Sequence, residues 1–248
     1  MKKAVVIGAS SGIGRQMAIK LHREGYQLGI TARRAETLED LNATKLDGKA
    51  AIQKMDVTQT DAAIQQLDKL IEAMGGMDLI VISAGVGKSF STGDWKLSEW
   101  MIGVNVVGFT AIADAAVRHF EKQGSGHLVG ISSIAAVKGV GGSPVYSASK
   151  GYELRYLEGI KQYMRMEKID VAVTAVLPGF VKTPLIEGSD YPFWVQPVEK
   201  ACDQIYAAIR KRKFYAPVTK RWRLMAAVIG LMPRWAWFEL VKHRKKNG

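Results

Sequence analysis

Cysteine is almost absent from this sequence. Cys202 is the only one in 248 residues, so no disulfide can form within the chain. A lone thiol is typical of proteins in a reducing compartment, and we expect a cytoplasmic protein. The four histidines are scattered and do not form a metal-ligand cluster. The sequence therefore predicts neither a disulfide-stabilised secreted domain nor a metal site.

Long apolar runs are also missing. The run Ala4–Ile7 stops at Gly8, which is too short for a signal peptide and suits a buried strand. The longest apolar stretch near the C-terminus, Leu224–Met232, has nine residues, whereas a membrane-spanning helix needs about 20. We therefore expect no transmembrane helix.

Acidic residues are scarce near the C-terminus. From Arg210 to Gly248 there are twelve lysines and arginines and one acid, Glu239, so this segment carries +11 of the total charge of +12. Basic segments with apolar stretches such as Trp235–Phe238 can lie on an anionic membrane surface. The segment could instead pack across a subunit interface or over a substrate pocket. Nucleic acid is not an expected partner.

The remaining composition, 48% hydrophobic and 23% charged, is that of an ordinary globular protein. Short apolar runs alternate with helix-like patterns, including one long helix over 97–122. The predicted strands cover 4–7, 27–31, 50–55, 77–83, 126–132, 170–177 and 214–218. This alternation predicts an α/β fold: a single Rossmann-type domain over 1–218, with a doubly wound parallel sheet of about seven strands and helices on both faces. Residues 219–248 would form a basic, apolar C-terminal helical extension of that domain.

A glycine-rich turn follows the first predicted strand. Gly8, Gly12 and Gly14 are spaced within it, Ser10 and Ser11 lie between them, and Ile13 opens a helix-like pattern. Glycines let the backbone approach a pyrophosphate, and the amides at a helix N-terminus face the anion. A tight turn without a ligand is the alternative, but the flanking strand and helix favour dinucleotide binding.

The second predicted strand ends in Arg33 and Arg34, with no acid beside them. In dinucleotide-binding folds an acid at this place binds the ribose 2′-hydroxyl, whereas an arginine accommodates a 2′-phosphate. A guanidinium can hold a phosphate in a bidentate manner. The pair favours NADP(H) over NAD(H), the alternative being two solvated arginines.

Tyr146 and Lys150 are four residues apart in a predicted helix, so their side chains leave the same face. A cation beside a tyrosine favours the phenolate and lowers a pKa that starts near ~10. Such a pair is a candidate acid/base unit. The spacing also arises often by chance, so other residues must support it. Ser133 ends a predicted strand thirteen residues before Tyr146.

Together these motifs identify a family. The chain resembles a short-chain dehydrogenase/reductase (SDR) over roughly residues 1–185. The motifs that fall in the family's order and spacing are the Gly8/Gly12/Gly14 turn, Asp56, Ala84-Gly85, Asn105, Ser133, Tyr146-x-x-x-Lys150 and Pro178-Gly179-x-x-x-Thr183. Two positions depart from the usual pattern: Ile7 replaces a threonine and Ser83 an asparagine.

The resemblance implies four catalytic residues. Tyr146 would exchange a proton with the substrate oxygen, and Lys150 would lower the pKa of Tyr146 and bind the nicotinamide ribose. Ser133 would hydrogen-bond the substrate carbonyl, and Asn105 would hold a relay water. The implied reaction is hydride transfer between NADP(H) and a carbonyl or secondary alcohol.

The resemblance also implies the cofactor-binding residues. Asp56 and Val57 would meet the adenine. Ala84 and Gly85 would line the cofactor. The segment from Pro178 and Gly179 would bring Val181 and Thr183 to the nicotinamide carboxamide.

The sequence also suggests a substrate class and a partner. Five aromatic residues near the expected pocket favour an apolar small molecule: Phe90, Trp95, Phe180, Phe193 and Trp194. By resemblance, the helices over 97–122 and 146–167 would pair with their copies in a homodimer or homotetramer. The alternative function is a non-catalytic NADP(H)-binding regulator or a membrane-associated scaffold.

Overall fold

The computed structural model describes residues 1–89, 94–187 and 194–242, and seven parallel strands form its sheet. The strands are β1 (Lys3–Ile7), β2 (Gln27–Ala32), β3 (Ala51–Lys54), β4 (Leu79–Ile82), β5 (Ser125–Ile131), β6 (Asp170–Pro178) and β7 (Tyr215–Val218). Their order is β3-β2-β1-β4-β5-β6-β7. The predicted fold is confirmed, and each predicted strand is observed within a few residues of its predicted bounds.

Helices connect the strands and cover both faces of the sheet. They are α1 (Gly12–Arg23), α2 (Ala35–Lys45), α3 (Thr60–Met74), α4 (Trp95–Ile102), α5 (Phe109–Gln123), α6 (Pro144–Met166), α7 (Val198–Arg210), α8 (Lys220–Leu231) and α9 (Arg234–Lys242). One hydrophobic cluster packs α3, α5 and α6 on one face, with Phe109 and Phe120 fully buried. A second packs α1, α2 and α7 on the other face.

The sheet has a switch point between β1 and β4. From β1 the chain builds outward to β2 and β3, then returns to β4 on the other side of β1. In doubly wound folds, ligands bind outside the carboxyl ends of the strands at such a point. The fold therefore places the glycine turn after β1 next to the residues that follow β4.

The predicted long helix is observed with an irregular turn inside it. Residues Gly103–Gly108 form a π-helical turn between α4 and α5. The backbone that follows β3 passes very close there, since a methyl group at Gly108 would lie 2.7 Å from the Val57 carbonyl oxygen. Short π-helical insertions occur frequently at functional sites. This one carries Asn105.

One helix in the described ranges, Trp95–Gln123, is long and apolar enough to cross a membrane, with a mean hydropathy of 1.6 over its most apolar window. Half of that window, 50%, is buried inside the protein. Phe109 and Ile112 from this helix belong to the core that covers the sheet. The helix thus has a structural role in the fold.

The C-terminal extension folds back onto the domain. Trp222 of α8 is buried, and its indole ring lies directly over Gly179 after β6. Trp237 Nε1 of α9 donates a hydrogen bond of 2.9 Å to the Gly139 carbonyl oxygen. Gly139 lies between Ser133 and Tyr146 in the sequence. The C-terminal extension therefore contacts the region of the candidate site, which is one of the placements that the sequence left open. The division at residue 218 stays a prediction.

Candidate active site

The candidate residues lie where parallel strands end. Gly8 follows β1, Asp56 follows β3 and Gly85 follows β4, while Ser133 follows β5 and Gly179 follows β6. Because carboxyl ends of parallel strands share one edge of a sheet, residues far apart in the sequence are brought to one side of the molecule.

The turn after β1 is shaped for close backbone approach. Gly8 has a φ of +86° and its amide donates to the Thr31 carbonyl oxygen. A methyl group at Gly14 would lie 2.1 Å from the Gly8 carbonyl oxygen, so α1 can start this close to the turn only with glycine. Ser11, the N-cap of α1, makes no side-chain cap hydrogen bond, and the first turn has no acid. The N-terminus of α1 therefore fits a pyrophosphate.

Two further strand ends close over this turn. Thr183 packs against Gly12, with its Cβ 3.4 Å from the place where a methyl group on Gly12 would stand. Val181 is buried and pairs with Gln196 in an isolated bridge. Across the turn, Ala84 lies beside Gly8. The predicted cofactor-contact segments after β4 and β6 are thus adjacent to the turn, which itself contains Ser10 and Ile13.

The end of β2, where the adenosine is expected to bind, is exposed to solvent. Arg33 and Arg34 are exposed at the end of β2, and among the described residues neither forms an ion pair. The nearby Arg15 is paired with Asp40 at 3.0 Å. Asp56 Oδ1 accepts hydrogen bonds from the Thr58 amide and hydroxyl, which fixes the turn before α3.

Tyr146 and Lys150 lie on one face of α6, beside the loop that follows β4. The Tyr146 ring lies over Gly87 and is half-buried. Lys150 Nζ is 5.8 Å from the centroid of that ring and lies beside Gly85. The predicted pair therefore lies at the same strand end as Ala84 and Gly85, which were predicted to line the cofactor.

Ser133 follows β5 in extended conformation, and its Oγ accepts a hydrogen bond of 3.1 Å from the Ala135 amide. The preceding Ser132 has a different role, because its Oγ donates to the Lys150 carbonyl oxygen at 2.8 Å and ties β5 to α6. Of the two serines, Ser133 retains a hydroxyl hydrogen to donate.

Asn105 is fully buried in the π-helical turn. Its Oδ1 accepts from the Val86 amide at 2.9 Å, and its Nδ2 donates to the Val86 carbonyl oxygen and to Ser149 Oγ. Both side-chain hydrogens and the side-chain oxygen thus have protein partners. Asn105 fastens the loop after β4 to α6, and the predicted relay water would need another group of this residue, such as its main-chain carbonyl.

The sequence motifs did not predict a role for Glu153, which lies three residues after Lys150. Its carboxylate oxygens are 2.8 and 3.1 Å from Lys150 Nζ, and the Lys150 and Glu153 side chains are 4% and 1% exposed. Burial raises the pKa of Glu153 to about 7, against the lowering effect of Lys150. Burial lowers the pKa of Lys150, but Glu153 and Tyr146 outweigh this and raise it. The i, i+3 spacing was visible in the sequence; the burial was not.

The aromatic residues expected around a pocket lie in different parts of the structure. Phe180 and Trp194 pack edge-on against Trp222, with ring centroids 5.2 and 5.9 Å apart. Trp95 is 62% exposed at the start of α4. Phe90 and Phe193 lie outside the described residues. The aromatic cluster therefore joins the end of β6 to the C-terminal extension.

Comparison with known proteins shows which family this chain belongs to. The family model described as short chain dehydrogenase matches residues 2–190. The chain belongs to the short-chain dehydrogenase family. An uncharacterized oxidoreductase of Myxococcus xanthus is 34% identical to this SDR over 195 residues, covering 77% of this chain and 76% of the relative.

Solved structures share the fold at lower sequence identity. A short-chain dehydrogenase from Sphingobium yanoikuyae, in complex with NADPH, aligns with a TM-score of 0.79 and 23% identity over 99% of this chain and 94% of that one. An SDR from Burkholderia phymatum, in complex with NAD, aligns with a TM-score of 0.79 and 23% identity over 91% of this chain and 92% of that one. Both have the Rossmann-type fold of this SDR.

Proposed function

We propose that this SDR is an NADP(H)-dependent oxidoreductase that interconverts a carbonyl compound and a secondary alcohol. The observation that carries the proposal is the placement of Tyr146 and Lys150 on one face of α6, beside the loop after β4, with Ser133 at the end of the neighbouring β5. NADP(H), when bound, supplies or accepts the hydride.

Each side chain has a distinct role in the proposed reaction. In carbonyl reduction, Tyr146 donates a proton to the substrate oxygen while the carbonyl carbon gains a hydride; in alcohol oxidation it takes the proton back. Lys150 carries a positive charge that favours the phenolate. The Ser133 hydroxyl donates a hydrogen bond to the substrate oxygen, where negative charge develops.

The cofactor preference rests on the end of β2. Arg33 and Arg34 are exposed and carry no carboxylate partner among the described residues, so their guanidinium groups can bind a 2′-phosphate. The glycine turn and the uncapped N-terminus of α1 would hold the pyrophosphate, and Asp56 and Val57 the adenine. NADP(H) is therefore proposed over NAD(H).

The test is NADPH oxidation with a panel of apolar ketones and aldehydes, followed by NADPH absorbance, for the wild type, Tyr146→Phe and Lys150→Ala. We expect both variants to lose at least about 100-fold in kcat. Tyr152→Phe is the matched control, since Tyr152 lies on the same helix and bonds to Thr110 instead. Turnover that survives both site substitutions would remove these roles. Tight NADPH binding without turnover by the wild type would favour a cofactor-binding regulator.

We also propose a cytoplasmic homo-oligomer. The outer side of α6 has three tyrosines whose hydroxyl groups bond to α5: Tyr152 to Thr110, Tyr156 to Asp114 and Tyr163 to Glu121. These bonds join two helices into one rigid outward face, which suits pairing with a second copy through a two-fold axis. Dimer and tetramer remain alternatives that ultracentrifugation distinguishes.

A second candidate function concerns the surface of the extension, here the apolar strip, made of Leu224, Val228, Leu231, Trp235 and Phe238. The first three are one helical turn apart on α8, and the last two share a face of α9. Leu231 is 87% exposed and Trp235 73%. Large apolar side chains exposed on two consecutive helices are typical of an interaction surface.

We infer that the partner of the apolar strip is an anionic membrane surface. Residues 210–248 carry +11, and Arg221, Arg223 and Arg234 lie within the two helices that hold the strip. A second copy bound through this strip would bring two such charges together, whereas anionic lipid attracts them by about 1 kcal/mol per basic residue near the surface. Trp222 and Trp237 connect the strip to Gly179 and Gly139, so lipid would lie near the site of an apolar substrate.

Vesicle sedimentation tests this inference. Wild type should pellet with vesicles of phosphatidylcholine and phosphatidylserine, less with phosphatidylcholine alone, and less at high salt. Leu231→Glu and Phe238→Glu should each reduce the pelleted fraction. Met166→Glu is the control, because Met166 is an exposed apolar residue at the end of α6 and belongs to neither α8 nor α9. Equal pelleting by all variants would contradict the proposed role.

A further inference from the structure

The Lys150 ammonium is held from inside the protein. Its acceptors within the protein are the two oxygens of one carboxylate, Glu153 Oε1 at 2.8 Å and Oε2 at 3.1 Å, and the Ile131 carbonyl oxygen at 3.2 Å. Glu153 itself is 0% exposed. Removing a carboxylate so fully from water is costly unless a partner compensates for the lost hydration. Lys150 is that partner.

The surroundings of the pair contain no other charge among the described residues. The titratable groups are Glu153, Lys150 and Tyr146, all on α6. The neighbouring elements contribute neutral groups: the Ile131 carbonyl and Ser132 hydroxyl from β5, the Gly85 backbone after β4 and the Asn105 amide from the π-helical turn. Glu153 is therefore the sole counter-ion of Lys150 in the described site.

We propose that Glu153 is a positioning residue: a buried counter-ion that fixes the Lys150 ammonium and keeps it charged as the pH rises. The inference rests on the proposed function for its catalytic meaning, because a charged Lys150 is what favours the Tyr146 phenolate and binds the nicotinamide ribose. Without a carboxylate, a lysine this deeply buried would lose its proton at a lower pH.

Protonation of Glu153 gives the role a distinctive pH dependence. Burial raises the pKa of this carboxyl to about 7. Below that pH the carboxyl is neutral and Lys150 alone is charged; above it the pair is ionised on both sides. A glutamine has the shape of the neutral carboxyl but never acquires the charge. Glu153→Gln should therefore resemble the wild type at about pH 6 and differ from it above about pH 7.

The experiment measures two pH profiles between about pH 6 and 10: NADPH affinity by fluorescence titration, and kcat with a carbonyl that the wild type reduces. For Glu153→Gln we expect wild-type values at the acidic end and an alkaline loss of both quantities that begins about one pH unit or more earlier. Glu153→Asp, which keeps a carboxylate, should restore part of the profile. Glu158→Gln is the control, since Glu158 pairs with Arg155 at the surface of the same helix.

The outcomes separate the two hypotheses. Identical profiles for Glu153→Gln and the wild type would overturn the role of Glu153, and so would a loss by the same factor at every pH, which is what a purely structural residue gives. Absence of wild-type turnover would overturn the proposed reaction only. In that case the NADPH-affinity profile still decides whether Glu153 keeps Lys150 charged.

Discussion

Gly159 offers a test of the proposed subunit contact. It lies inside α6, is exposed, and has no neighbouring atom within 4 Å of the place where a methyl group would stand. In a helix interior, glycine is less favourable than alanine by about 0.8–1.0 kcal/mol. In an isolated chain, Gly159→Ala would therefore add about 1 kcal/mol to the free energy of unfolding, which raises Tm by about 2–4 °C.

We expect Gly159→Ala to lower the stability of the oligomer instead, because Gly159 shares a face of α6 with Tyr152, Tyr156 and Tyr163. If that face meets a second copy, a methyl group overpacks the contact at a cost of about 1–3 kcal/mol. A two-fold contact contains the change twice. After subtraction of about 1 kcal/mol of helix propensity in each subunit, the loss ranges up to about 4 kcal/mol per dimer.

The assay combines sedimentation velocity with thermal unfolding at two protein concentrations. Gly159→Ala should increase the monomer fraction on dilution and lower Tm most at the lower concentration. Gly230→Ala is the matched control: Gly230 is exposed on α8, its nearest contact would be 3.7 Å away, and the substitution should leave the oligomer intact. If Gly159→Ala gains about 1 kcal/mol and the oligomer is unchanged, this face of α6 makes no subunit contact.

Three further predictions concern single residues. Gly14→Ala forces α1 away from Gly8 and should abolish NADPH binding, measured by fluorescence titration, while circular dichroism still shows a folded chain. His127 is buried against Thr174, and burial lowers its pKa to about 4. The neutral His127 side chain therefore contributes fully to stability above about pH 6.5. As the pH falls towards 4, the free energy of unfolding should decrease by up to about 3 kcal/mol. Urea unfolding should show a smaller decrease for His127→Gln. Burial raises the pKa of Cys202 to about 12, so a thiol reagent should modify the native chain slowly and the urea-unfolded chain at once; fast native reaction would contradict the buried placement.

The fold was predictable because the central strands of its sheet are buried on both faces. Strand β4, and β1 after its first residue Lys3, consist of apolar residues bounded by polar or glycine turns, and that pattern has few other interpretations in a chain of this length. The long helix before β5 was also predictable from its apolar face. The π-helical turn inside it was not, since nothing in the apolar pattern marks it, and the close contact of Gly108 with Val57 is seen only in the folded protein.

The candidate site was predictable where a residue type is required by chemistry. The glycine turn, Ser133 and the Tyr146–Lys150 spacing are of that kind, and the structure brings them to one edge of the sheet. Glu153 was missed because an acid three residues from a lysine is ordinary on an exposed helix. Only the packing of α6 against β5 distinguishes a buried counter-ion from a surface pair such as Arg155 and Glu158.

The extension beyond residue 218 contacts the candidate site at the end of β6. That segment is packed on two sides: Thr183 lies against Gly12 of the glycine turn, and the Trp222 ring of α8 lies over Gly179. Close packing leaves little room for one neighbour to move without the other. A membrane surface that binds α8 through the apolar strip would therefore also restrict the segment after β6, whose backbone is proposed to meet the nicotinamide. Binding of the apolar strip and catalysis are for that reason expected to be coupled, although no residue of the strip belongs to the proposed catalytic group.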